Sequence, residues 1–156
     1  MFRTKWLIIA LTIMLVPGAA NAFIFDGAHH DGNPHFYFLP PMVPAPDLPG
    51  AFDPTLDPVV EIVDLFTGDV VAEFTMDDAL QIDDEGSAYI VSWHTRDFNL
   101  DSGNIYRVRV SIEGVSLGFA DVALVDSPQE ARNVDSGEYV PLVNGHNLPI
   151  KFAIQR

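Results

Sequence analysis

The chain contains no cysteine. Disulfide staples, thiol catalysis, redox chemistry, cysteine-ligated zinc and lipid attachment through a thiol are therefore all excluded. Whatever it folds into must be held by a hydrophobic core. Cations are almost as scarce: eight Lys and Arg stand against 22 Asp and Glu, a formal net charge of −14 at pH 7. Past residue 22 only six basic residues remain against all 22 acidic ones. Nucleic acid is excluded as a partner, because phosphate contacts need clustered Lys and Arg. Anionic membrane surfaces are disfavoured for the same reason, and the charge itself keeps exported copies soluble and apart. Beyond the N-terminus no apolar run approaches the ~20 residues that span a bilayer, so the mature chain is not expected to insert. There is also no nucleophile elbow and no phosphate loop, and no enzyme activity is expected.

What is present starts with an export signal. Arg3 and Lys5 precede an apolar run from Trp6 to Val16; Pro17 and Gly18 break it, and Ala20-Asn21-Ala22 forms a small-x-small cleavage site. Residues 1–22 read as a cleavable signal peptide, which places the protein in the periplasm or outside the cell. Residues 23–34, rich in glycine and polar side chains, read as a mobile lead-in. Residues 35–156 read as the folded domain, long enough for one core.

Within that domain the segment from Ser87 to Val110 organises the pattern. Tyr89, Val91 and Trp93 alternate on one face, as do Tyr106, Val108 and Val110, while Ser92, His94, Arg107 and Arg109 fall opposite. A period of two predicts two half-buried strands joined by a polar turn. Upstream, His35–Leu39 is an aromatic strand, and eight prolines between Pro34 and Pro58 confine it to a sheet edge that it leaves at Pro40. Val59–Phe66 and Val70–Met76 predict a hairpin around Thr67-Gly68-Asp69, and the short acidic stretch Asp77–Gly86 could hold a helical turn. Val115–Val125 changes its inward parity near Gly118–Ala120, as a β-bulge would cause. Glu138–Val143 is a short strand, Asn144-Gly145 a turn, and Leu148, Ile150, Phe152 and Ile154 share one face of a last strand.

Seven to eight strands, with turns about every ten residues and no convincing helix, predict an all-β, antiparallel two-sheet sandwich. The stretch LDSGNIYRVRV, Leu100–Val110, resembles the turn-plus-strand signature of fibronectin type III and related immunoglobulin-like sandwiches. There a tyrosine opens an x-Val-x-Val strand and its hydroxyl bonds upstream backbone. The resemblance implies an immunoglobulin-like architecture with Tyr106 as the corner tyrosine and Leu100 capping the core. Ser102 stands where a turn proline is usual. A second resemblance, through His30–Pro46, Gly118–Val122 and Leu148–Phe152, is to uncharacterised secreted bacterial modules, which occur alone or beside immunoglobulin-like repeats. It implies an envelope or extracellular module. The expected core comprises Trp93, Leu100, Tyr106, Val108, Phe119 and Phe152.

Few constellations carry chemistry. His29, His30, Asp31 and His35 offer three imidazoles and a carboxylate suited to Zn²⁺ or Cu²⁺, at a spacing that matches no established motif. Asp97, Asn99 and Asp101 alternate like the opening of a calcium loop, yet Ser102 replaces its glycine and Val108 its closing glutamate. A strand-joining turn accounts for them more simply. A calcium site could also draw on Asp77, Asp78, Asp83, Asp84 and Glu85. Ser92 and His94 share a strand face without a third partner, Trp93 reads as core, and Tyr37 or Phe38 is the better platform for a sugar. The preferred reading is an exported non-catalytic sandwich for surface structure, adhesion or ligand binding, requiring no cofactor and meeting a protein or glycan at the cell envelope. Its exposed sheet edges are the expected interaction elements. The alternatives are a calcium-stabilised module, a pilus-like subunit donating Phe23–Leu39 to a neighbour, or a hydrolase.

Overall fold

The computed structural model describes residues 24–156, and the expected signal peptide, 1–22, lies outside the described residues. Among the described residues nine strands form two sheets: β1 (Phe36–Phe38), β2 (Val59–Asp64), β3 (Val70–Phe74), β4 (Gln81–Ile82), β5 (Tyr89–His94), β6 (Ile105–Ile112), β7 (Val115–Val125), β8 (Val140–Val143) and β9 (Asn147–Ile154). One sheet has the order β1-β9-β5-β4 and the other β3-β2-β6-β7-β8. The all-β sandwich is thus present, with Val60, Ile62, Val108, Val110, Val122 and Leu124 of one sheet packed against Phe36, Phe38, Tyr89, Trp93, Ile150 and Phe152 of the other. Alternation produces this core: β2, for instance, reads half-buried, buried in strict turn along its six residues.

Three expectations are corrected. The sandwich is not wholly antiparallel, because β8 runs parallel to β7 from Val122↔Val140 to Val125↔Val143. A parallel neighbour needs a crossover, and residues 126–139 supply it through a single helical turn, α1 (Pro128–Ala131). Ser127 caps that turn: its Oγ accepts the Glu130 N–H at 3.2 Å, while Glu130 Oε2 accepts the Asp126 N–H at 2.9 Å.

Secondly, β5 and β6 are not neighbours in a sheet. The first pairs with β4 and β9, the second with β2 and β7. The connection between them, including a 3₁₀ turn at Thr95–Asp97, carries the chain from one sheet to the other. Trp93 and Tyr106 consequently meet across the core, ring centroids 5.9 Å apart and edge to face. Alternation reports which side of a strand is buried and is silent on which strand lies beside it.

Thirdly, Phe119 is not a core residue. Val110 pairs with Gly118 but Ser111 with Ser116, so Leu117 is the extra residue of a bulge. From there Gly118, Ala120, Val122 and Leu124 face inward, and Phe119 turns to the outer surface. Trp93, Tyr106, Val108 and Phe152 are buried as expected, and Leu100 packs half-buried against the core. The stretch 77–86, which could hold a helical turn, has a single hydrogen-bonded turn, Asp78 N–H donating to Thr75 O at 3.0 Å, that runs into the short strand β4.

Candidate functional site

The two long sides of the sandwich are built differently. On one side β1 and the β7–β8 edge lie together, and residues 24–35 form a strap across them. Phe25 and Phe119 exchange backbone hydrogen bonds, Phe25 N–H donating at 2.8 Å and Phe119 N–H at 3.1 Å, so the strap adds a bridge to the half of β7 that β8 leaves uncovered. Their rings stack at 5.6 Å. The Arg107 guanidinium lies 3.7 Å above Phe119 and grips the buried Asp121 carboxylate with two bonds of 2.7 and 2.8 Å. Gly118 is required here, since a Cβ would collide with the Phe25 carbonyl oxygen and come within 2.7 Å of the Phe36 ring.

Asp26 holds the strap to β1. Its fully buried carboxylate accepts the N–H groups of Ala28 and His29, the His29 Nδ1–H at 2.8 Å, and on its other oxygen the Phe38 N–H at 2.9 Å. Gly27 N–H donates to Phe36 O at 2.7 Å. With the Phe36 N–H donating to Asn33 O at 3.0 Å, three of the four outward-facing backbone groups of β1 are occupied, and a potential template for strand addition is largely closed. Residues 23–34 are expected to be a mobile lead-in; among those described, Ile24 and Asp26 are instead buried parts of the body. Sequence reasoning missed Asp26 because its partner in β1 lies twelve residues away.

On the opposite side, between β3 and β5, runs a groove of about 330 Å³ lined by Phe74, Ala79, Gln81, Ile90, Val91, Ser92, His94, Asp97 and Phe98. Strand alternation gives the polarity of its wall. Thr95 N–H bonds His146 O on the β9 side, whereas Ala88 O receives the Asp83 N–H on the β4 side. Odd positions of β5 therefore bond β9, and even positions face β4. But β4 is only two residues long and its ladder ends at Gln81↔Ile90. The next even positions, Ser92 and His94, direct their N–H groups, and Ser92 its C=O, into the groove with no strand opposite. The His94 carbonyl instead opens the 3₁₀ turn at Thr95–Asp97.

Ser92, His94 and Asp97 all line this groove, yet no side-chain hydrogen bond joins any two of them among the described residues. The other expected site residues are scattered. His29 faces Asp26, His30 Nδ1 lies 2.8 Å from Ile24 O, and Asp31 and His35 are exposed. Asp97, Asn99 and Asp101 are exposed and do not converge, and Asp101 serves instead as a backbone anchor. Its N–H donates to the Tyr106 hydroxyl at 2.8 Å, and that hydroxyl lies 3.2 Å from Asp101 O. Burial pushes the Tyr106 phenol above its ordinary pKa. Among the described residues no group of three or more His, Asp or Glu is placed to hold a metal ion.

Two acidic residues serve as fasteners. Burial pushes Asp83 up, but Lys151 at 2.8 Å and the Ser87 and Ala88 amides outweigh it and hold the carboxyl below the ordinary value. Asp53 is held at about 2, chiefly by Arg156 and then by Thr55. Compared with known proteins, the chain matches no family model, no curated protein and no solved structure.

Proposed function

We propose that this protein is an exported, non-catalytic β-sandwich module that binds a ligand at the cell envelope through the groove beside β5. The observation that carries this reading is the contrast between the two sides: one edge is covered in detail, while the other leaves three backbone groups of Ser92 and His94 facing a cavity of binding-site size. A module serving only as a spacer has no use for one unguarded edge, which is a liability for self-association. Export rests on the N-terminal pattern Arg3–Ala22.

An immunoglobulin-like reading of the sandwich finds support in its neighbour order. Taken from β8 onward and then from β2, the strands β8, β9, β2, β3, β4, β5, β6 and β7 occupy the places A′, B, C, C′, D, E, F and G of an immunoglobulin sandwich. β1 takes the place of A beside B. On this reading the chain is a permuted version, with residues 126–139 joining G to A′ and Tyr106 opening strand F. Titrating the exported chain with envelope peptides and glycans while following backbone amides tests the functional proposal. Ligand-induced shifts are expected along Ile90–His94 and Phe98; shifts confined to the β1 side would overturn it.

A further inference from the structure

We infer that the ligand class is an extended basic peptide, taken up as an added strand along Ser92–His94. This rests on the binding reading above and commits it to one kind of partner. An exposed edge recognises extended backbone through ladder hydrogen bonds, and side chains alternating along the guest supply selectivity. Here the free N–H and C=O of Ser92 and the N–H of His94 continue the line of β4, so a guest strand fills the place where β4 stops. Ile90, Val91, Phe74 and Phe98 give the groove apolar walls for alternate guest side chains.

The charge of the guest follows from the rim. Asp97 lines the groove, and the β3-to-β4 connection that borders it carries Asp77 and Asp78, all three exposed. Among the described residues no Lys or Arg lines it. Arg96, next in sequence, turns its guanidinium to Gly145 O, and Lys151 is occupied by Asp83. A guest carrying Lys or Arg on its outward positions is therefore attracted, and an acidic one repelled. The same logic disfavours a second copy of this chain, whose own β5 edge would bring Asp77, Asp78 and Asp97 against their counterparts.

The test uses the full exported chain and a short capped peptide of alternating valine and lysine, followed by amide NMR. The Ser92 and His94 amides are expected to shift most and to exchange at least ~10-fold more slowly when the peptide is bound. Replacing the peptide's lysines by glutamates is expected to weaken binding about tenfold or more at low salt. N-methylating the peptide on the edge facing β5 is expected to abolish binding, and so is Ser92→Pro, which removes an outward N–H while Val91 and Trp93 keep their bonds to β9. Because the N-methylated peptide leaves the protein untouched, the test stands even if Ser92→Pro folds poorly. Equal binding of the N-methylated or acidic peptide would overturn the inference, as would self-association through this edge in the absence of peptide. If an oligosaccharide shifts the groove amides and the basic peptide does not, the peptide inference fails while the binding module survives. If neither moves them, both fail.

Discussion

The two sides of this sandwich solve the same problem in opposite ways. Both expose sheet edges, and an edge presents unpaired N–H and C=O groups that water or another strand must satisfy. On the β1 side a buried carboxylate, a glycine amide and a stacked Phe25–Phe119–Arg107 column satisfy or cover them. On the β5 side β4 simply stops after two residues, and nothing replaces it. The covered side uses side chains from positions far apart in sequence; the uncovered side is defined by the end of a ladder. One edge is closed by specific contacts, and the other is left open by the shortness of β4.

That contrast can be broken from the covered side first. Arg107→Ala leaves Asp121 buried without its partner, and a loss of about 3 kcal/mol in denaturant unfolding is expected. A loss below ~1 kcal/mol would mean the column is decoration. Asp26→Ala is expected to cost about 2–3 kcal/mol, because it strands the Phe38 N–H and dissolves the turn at 26–29. Unlike Arg107→Ala it should also unmask the β1 edge, read as concentration-dependent self-association in sedimentation. Gly118→Ala is expected to cost about 1–3 kcal/mol by displacing the Phe25 backbone.

Substitution on the uncovered side should do little. His94→Ala removes an exposed side chain with no hydrogen bond, so a change within about 0.5 kcal/mol is expected. Smallest of all is the acid response of Asp53. Its folded pKa of about 2 lies below the ordinary value of 3.8, so its contribution is complete above that value and fades as pH falls through the interval between them. Asp53→Asn is expected to flatten the thermal stability profile in that window and nowhere else. Its partner Arg156 is exposed, and the difference should be small and suppressed by salt.

How much of this was legible beforehand depends on the range over which each feature is set. Strand existence and burial phase are local, and the alternation in β2, β5, β6 and β9 carried both. Tyr106's hydroxyl reaches only five residues back to Asp101, and the turn-plus-strand stretch around it was readable for that reason. Partner choice is global: β5 and β6 look like a hairpin in sequence because both alternate, and only the 3₁₀ turn between them sends each to a different sheet. The parity of β7 was readable in outline, but whether the bulge fell at Leu117 or beyond it decided whether Phe119 faced core or solvent. Asp26 was invisible because nothing in Phe25-Asp26-Gly27 announces a partner at Phe38. The groove was invisible too, since it consists of what β4 fails to cover.

The most direct measurement is native-state hydrogen exchange on the free protein, comparing the outward amides of the two edge strands. The Phe38 amide, held by Asp26, should exchange among the slow core amides, while those of Ser92 and His94 should exchange close to the rate of an unstructured peptide. Protection of Ser92 and His94 equal to that of Phe38 would mean that this edge is already occupied, and the distinction between a sealed and an open side would be lost.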